Sequence, residues 1–404
     1  MILKVKPLQL LKGSIDLPAS KSYSIRASFI GLQEGSVIKN LSNCQDALVA
    51  QDLQAKLKKK ASVYNVKESG TSLRFLLPLL SFLDKSAVVK GEGTLVGRPN
   101  HHLCETLRRQ GMDIQGTGPN ESVPITYKGG TLKPGDINID GSLSSQFVSA
   151  LLIAAPRLNG NSQIIITGKD MVSSEYIIMT LKVLERAGIE VAVSDRKLTI
   201  KGNQHFKPLD FHVPSDYGLA AFPMAAAALL KSDVILKGHF NKALIQSDQH
   251  ILNFLRLMAV EFTEKNESIT MKGPFYLKGG TFSLKTCPDL VPIMSVLALF
   301  AEGQTKLVDI HHARAKESDR ISDLRKELLK VGADVRETRD ALIINPKLDF
   351  KYKTGKTLDP HNDHRLAMAF TVLGLKIGCT IKDIECTHKS YPAFVKDMKT
   401  LGMI

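Results

Sequence analysis

Six times along this chain a short polar cluster opens an Ala/Leu-rich helical stretch, which ends in a small turn and an apolar strand. The openings begin at Ser20, Ser69, Ser144, Ser215, Pro288 and Asp363, mostly about seventy residues apart, and such self-similarity constrains a fold before any single motif does. Strands are expected after the helices near 36–40, 162–166, 233–236, 305–308 and 380–384, with a less clear one near Ala87. Apolar residues at helical spacing then mark a second helix in several copies, from Leu103 to Gly111, Tyr176 to Gly188, Ile321 to Gly332 and Phe394 to Gly402. One such unit cannot bury both of its helices alone, so neighbours must share a core. Six units therefore point to two lobes of three, in an α/β (α+β) chain.

The bulk numbers agree. A chain of 404 residues exceeds what one core usually organises. Hydrophobic residues make up 43% and charged ones 23%, and no apolar run reaches the ~20 residues of a membrane span. The N-terminal residues alternate lysine with apolar side chains and show no uninterrupted signal-peptide core, so a cytoplasmic location is expected. Five cysteines without a C-x-x-C pair argue against a disulfide framework or a zinc ribbon. A net charge of +14 implies anionic partners. Scattered basic residues, 6% aromatics and no tryptophan speak against nucleic acid, because stacking platforms are scarce. The run Lys58, Lys59 and Lys60 reads as a solvated helix end.

The polar openings carry the chemistry. A helix N-terminus offers free backbone N–H groups and a positive dipole end, so serine and lysine placed there suit anions. Ser20 reads as a cap, Lys21 lies in the first turn, and Ser22 and Arg26 share a face at i, i+4; a capped helix with solvated cations explains the same pattern. Ser144, Ser145 and Gln146 open another helix, and Ser173 and Tyr176 a third; each suits phosphate or simple capping. In the segment 311–320, Lys316 and Arg320 are expected on one helical face, where their mutual repulsion calls for an anion or counter-ion. Glu317 beside them is a proton-transfer candidate or a salt-bridge partner. Asp289, after Pro288, is a helix-end dipole partner or a general base. Arg98, Arg365 and Lys389 add cations near helix starts. The histidines His311, His312, His361 and His364 lack a helix-spaced ligand triad, and neither the segment ending at Thr357 nor the glycines near Gly91 complete a nucleotide-binding motif.

Taken in order, these clusters resemble the 5-enolpyruvylshikimate-3-phosphate (EPSP) synthase family across almost the whole chain. The resemblance rests on P-x-S-K-S-x-S-x-R at Pro18 to Arg26, S-G-T-x-x-R at Ser69 to Arg74 and S-S-Q-F at Ser144 to Phe147. It is carried further by K-E-S-D-R at Lys316 to Arg320, D-H-R at Asp363 to Arg365 and K-S-Y-P at Lys389 to Pro392. It implies a two-lobed inverse α/β barrel, each lobe of three βαβαββ units, with substrates in the interlobe cleft. The first lobe would be discontinuous, residues 1–18 and 215–404, carrying the phosphoenolpyruvate side and the catalytic acids. Residues 19–214 would form the second, on the shikimate 3-phosphate side.

The implied reaction transfers the enolpyruvyl group of phosphoenolpyruvate to the 5-hydroxyl of shikimate 3-phosphate and releases phosphate, without metal or organic cofactor, in a monomer. Shikimate 3-phosphate would be held by Lys21, Ser22, Arg26, Ser144, Ser145, Gln146, Ser173, Tyr176, Asp289, His312 and Lys316. Phosphoenolpyruvate would be held by Lys21, Gly70, Arg98, Gln146, Arg320, Arg365 and Lys389, with Gly70 leaving room for close backbone approach. Asp289 would take the hydroxyl proton, and Glu317 with Lys316 or Lys21 would manage protonation of the vinyl carbon. Seven site cations against these two acids leave +5, close to the roughly −5 to −6 carried by the substrates, so an empty site is expected to repel itself and to open. Three positions stand out. Glu68 replaces the Asn common in the family, His312 stands where some members carry Asn, and Asp46 resembles a family acid. The rival readings are the related UDP-N-acetylglucosamine enolpyruvyl transferases, whose loop cysteine before the Arg-Pro pair is missing between Gly91 and Gly97, and a non-catalytic polyanion-binding module.

Overall fold

The computed structural model describes residues 1–168, 171–347 and 349–403. It divides into two compact units, Met1–Ala19 with Pro214–Ile404 (unit 1) and Ser20–Val213 (unit 2).

Each unit is organised around three buried helices. In unit 2 these are Lys21–Ile30, Gly70–Leu79 and Ser145–Ala154. In unit 1 they are Tyr217–Leu229, Val291–Ala298 and His364–Ile377. Nearly every residue in them is buried, including the polar side chains of Arg26 and Arg74, so these helices have protein on almost every side. The helix Gly70–Leu79 packs on Ser145–Ala154 and Lys21–Ile30, and Val291–Ala298 packs on Tyr217–Leu229 and His364–Ile377. In unit 1 the buried apolar side chains, from Val5 to Met403, form one continuous core.

Five of the six polar openings cap these helices. The side chains of Ser20, Ser69, Ser144, Asp216 and Asp363 accept backbone N–H groups of Tyr23, Ser72, Gln146, Leu219 and Arg365. The sixth differs. Pro288–Leu290 forms a 3₁₀ turn, and Val291–Ala298 begins behind it with Pro292 in its first turn. Proline needs no N–H partner there, so Asp289 is released from capping.

Each buried helix is paired with two parallel strands, giving the sixfold repeat its structural form. In unit 2 the pairs are Asp210–His212 with Val37–Lys39, Val63–Asn65 with Ala87–Lys90, and Gly135–Asp140 with Ser162–Thr167. In unit 1 they are Leu11–Asp16 with Ser232–Lys237, Thr281–Ser283 with Thr305–Val308, and Lys356–Leu358 with Cys379–Ile381. Four of the pairs extend into four-stranded sheets through an antiparallel hairpin. One pair in each unit joins strands far apart in the chain: Leu11–Asp16 pairs with Ser232–Lys237 beyond the whole of unit 2, and Val37–Lys39 pairs with Asp210–His212 at the other end of unit 2. The second helices run over His101–Arg109, Ser174–Arg186, Ser322–Lys330 and Phe394–Thr400. Gly188 and Gly332, just beyond two of them, have φ of +77° and +79°, the left-handed turn that makes glycine recur there. Among the described residues no helix is long and apolar enough to cross a membrane.

Candidate active site

In unit 2 the first opening is built as a buried cationic corner. Lys21 Nζ lies 3.1 Å from Asp46 Oδ2. Arg26 is buried in the next turn, where its Nε donates to Thr180 Oγ1 and its Nη1 and Nη2 donate to the carbonyls of Ser22 and Tyr176, all at 2.9 Å. Burial pulls its guanidinium down to about 10, against the nearby Tyr23 and Tyr176 phenols. Ser173 precedes the helix Ser174–Arg186 in a left-handed conformation, φ +54°, and its buried hydroxyl finds no hydrogen-bond partner among the described residues.

The second and third openings meet through Gln146. Its Nε2 donates to Thr71 Oγ1 at 2.9 Å, and its Oε1 accepts from Arg74 Nη1 at 2.6 Å. Arg74 also donates from Nε to Asn100 Oδ1 and from Nη2 to the Pro99 carbonyl. One buried arginine thus fixes both the Gln146 amide and the chain beside Arg98. Sequence reading had Arg74 only as the end of a motif. The clearance at Gly70 is taken by protein: a Cβ there would come within 3.0 Å of Arg98 Nη1 and 3.2 Å of its Cζ. Glycine therefore admits the Arg98 guanidinium against the helix start. The carboxylate of Glu68 accepts the Thr94 N–H at 3.0 Å and its hydroxyl at 2.6 Å. Ser144 caps its helix and Ser145 is buried beside it.

In unit 1 Asp289 and Arg320 lie at the centre. Arg320 donates to Asp289 Oδ1 at 2.6 Å, to Glu317 Oε2 at 2.9 Å and, through Nε, to Asp363 Oδ2 at 2.7 Å. Arg365 closes the other side, with Nη2 2.9 Å from Asp289 Oδ2 and 3.6 Å from Asp248 Oδ2, while its Nη1 donates to the Gly218 carbonyl. Lys389 Nζ stands 3.9 Å from Glu317 Oε1. Burial raises the Asp289 carboxyl, but Arg365, Arg320 and Lys316 outweigh it and hold the group well below the usual carboxylate range. Burial, with the Asp289 charge beside it, pushes Asp248 up to about 7 against the pull of Arg365. Burial and Lys316 hold the His312 imidazole down at about 3, and neither of its ring nitrogens has a hydrogen-bond partner among the described residues.

One expectation is corrected here. Lys316 and Arg320 do not share a helical face: His311–Ala315 is a 3₁₀ turn, 316–319 bends, and the helix starts only at Ser322. The bend lets Arg320 turn inward to three carboxylates. Within each unit several of the expected cations face acids: Lys21 faces Asp46 in unit 2, while Arg320, Arg365 and Lys389 face carboxylates in unit 1. Asp248 and Asp363, which sequence reading did not count in the site, supply much of that balance. Asp363 was visible as a helix opening; Asp248 carried no signal beyond being an acid. Among the described residues no three His, Cys, Asp or Glu side chains gather as metal ligands.

Residues 46–398 match the sequence description of EPSP synthase (3-phosphoshikimate 1-carboxyvinyltransferase). The chain belongs to the EPSP synthase family. Among its relatives, a 3-phosphoshikimate 1-carboxyvinyltransferase of Methanococcus vannielii is 34% identical over 99% of both chains. One of Methanocaldococcus jannaschii is 33% identical over 99% of this chain and 98% of its own. An EPSP synthase structure from Acinetobacter baumannii superposes with a TM-score of 0.81 at 26% identity, covering all of this chain and 98% of that one. The two lobes read from the six repeats, and the inverse α/β architecture that the resemblance implies, are the fold of this EPSP synthase family.

Proposed function

We propose that this protein transfers the enolpyruvyl group of phosphoenolpyruvate to the 5-hydroxyl of shikimate 3-phosphate, as a 3-phosphoshikimate 1-carboxyvinyltransferase. The observation that carries the chemical reading is Asp289 held between Arg320 and Arg365, with Glu317 and Lys389 beside them. An acid that can accept a proton there adjoins cations that can hold a carboxylate or phosphate. The names of the relatives do not favour the nucleotide-sugar transferase or a non-catalytic module.

In unit 2, Lys21, Ser22, Arg26, Ser144, Ser145, Gln146, Ser173 and Tyr176 take the phosphorylated sugar-like substrate, and Gly70 makes room for Arg98 as an anion ligand. Ser173 brings a buried hydroxyl with no partner among the described residues, and the Gln146 amide is oriented by Arg74 and Thr71 before any ligand arrives. In unit 1, Arg320, Arg365 and Lys389 take phosphoenolpyruvate, while His312, Lys316 and Asp289 face the ring hydroxyls. His312, kept neutral, can donate one hydrogen bond without adding charge.

The hydroxyl oxygen bonds to C2 of phosphoenolpyruvate while its proton passes to Asp289, and C3 gains a proton managed by Glu317 with Lys316 or Lys21. Phosphate then leaves the tetrahedral adduct as C3 returns a proton, restoring the double bond. The five cysteines are free thiols, in keeping with action in the cytoplasm, and we take the working form to be a monomer. The test is phosphate release from phosphoenolpyruvate with shikimate 3-phosphate, with UDP-N-acetylglucosamine and with neither. Release that needs shikimate 3-phosphate is expected, and release that needs the nucleotide sugar, or none at all, would refute the reading.

A further inference from the structure

The two arginines of unit 1 each have a buried side and an outward side. Arg320 is 1% exposed and spends Nε on Asp363, which is fully buried; Arg365 is 3% exposed and spends Nη1 on the Gly218 carbonyl. Of the remaining donors, Arg320 Nη2 holds Glu317 Oε2 at 2.9 Å, while Arg320 Nη1 and Arg365 Nη2 converge on the two oxygens of Asp289 at 2.6 and 2.9 Å. Asp289 is 20% exposed, so the carboxylate lies on the solvent side of both guanidinium groups. A carboxylate bridging two arginines in this way has the shape and charge of the ligand those arginines would bind.

We propose that Asp289 occupies the anion position of Arg320 and Arg365 while the site is empty, and that an incoming carboxylate or phosphate displaces it. Resting on the transfer reaction above, this makes the ligand the switch for the base. Paired with two arginines, Asp289 has little tendency to accept a proton. Once a ligand anion takes over their donors, the released carboxylate regains ordinary basicity and can receive the hydroxyl proton, becoming a neutral carboxyl. The hydroxyl is then deprotonated only when its reaction partner is in place.

Inorganic sulfate tests this, because its charge is constant from pH 4 to 8 and its binding requires neither substrate nor turnover. Isothermal titration of the full-length protein at fixed ionic strength should show sulfate binding at least about tenfold tighter in Asp289→Asn than in the wild type. Asp248→Asn, which removes a nearby charge without vacating the bridging position, should give a smaller gain. Adding Arg365→Gln to Asp289→Asn should abolish the gain. Unchanged or weaker sulfate binding in Asp289→Asn, a gain equal to that of Asp248→Asn, or a gain that survives the loss of Arg365 would each overturn the proposal. The wild type provides a second measurement that needs no variant. At pH 4.5 sulfate binding should take up a fraction of a proton, read from its heat in buffers of different ionisation enthalpy, and no uptake would count equally against displacement. Failure here leaves the transferase reading standing, and a negative phosphate-release assay would leave the sulfate result intact.

Discussion

Replacing Arg74 by Met would remove the guanidinium that joins two of the polar openings in unit 2 while keeping a side chain of similar length. Three acceptors lose their donor: Asn100 Oδ1 at 3.1 Å, Gln146 Oε1 at 2.6 Å and the Pro99 carbonyl at 3.0 Å. Asn100 is fully buried, so its oxygen is left without water at a cost of about 1–3 kcal/mol. The other two acceptors are less enclosed and lose about 0.5–1.5 kcal/mol each. Loss of the guanidinium over the Phe147 ring, 5.2 Å from its centroid, adds about 0.5–1 kcal/mol. Relief from burying a charge offsets part of this, leaving a net loss of about 2–4 kcal/mol. For a unit of roughly 200 residues that is a fall in Tm of about 4 to 15 °C. Differential scanning calorimetry measures it, with Arg74→Lys expected in between because an ammonium cannot span all three acceptors. The KM for shikimate 3-phosphate should rise in the same variant, since the Gln146 amide loses its orientation. A transition within about 1 °C of the wild type would refute the reasoning, because no rearrangement that strands a fully buried acceptor is that cheap.

Gly70→Ala should leave Tm unchanged or slightly raised yet increase the KM for phosphoenolpyruvate about 5- to 30-fold, because the new methyl displaces the Arg98 guanidinium by a few tenths of an ångström; steady-state kinetics at saturating shikimate 3-phosphate will tell. Asp289→Asn should lower kcat by about 10²–10⁴-fold, measured by phosphate release, and unchanged turnover would remove Asp289 from the role of base. Asp248 binds its proton more tightly folded than unfolded, so its contribution to stability is fully present below the unfolded value near 4 and is lost as pH rises through about 7. Asp248→Asn should therefore gain on the wild type in urea unfolding between pH 5 and pH 8, and a pH-independent difference between the two would refute that assignment.

The sixfold repeat was legible because each copy must bury a helix and five of the six cap its start with a side chain, and both demands act over fewer than ~20 residues. The helices at Lys21–Ile30 and His364–Ile377 are announced by Ser20 and Asp363 in this way. What sequence could not give is the partnering of charges. Arg320 and Asp363 are 43 positions apart, and Arg365 reaches Gly218 across 147. Such pairs depend on how the buried helices of a unit pack. The segment 311–320 misled for a related reason: its spacing suits a helix, but three carboxylates gathered by the fold draw Arg320 inward and the backbone bends to deliver it. Asp248 gave no local signal because its importance comes from Arg365 and Asp289, neither of them near it in the chain.

The crossed strand pairs also set a timetable for synthesis. Leu11–Asp16 leaves the ribosome well before its parallel neighbour Ser232–Lys237, which follows only after all of residues 20–213. At the usual pace of translation the wait is about 10 to 45 s, long enough for the whole of unit 2 to emerge and fold. During that interval an unpaired strand is exposed to other nascent chains. Its composition guards against this. Lys12 and Asp16 place charges on the solvent face, Gly13 lowers strand propensity, and only Leu11 and Ile15 are buried when the sheet finally closes. The strand that must wait longest is thus one that adheres poorly to strangers.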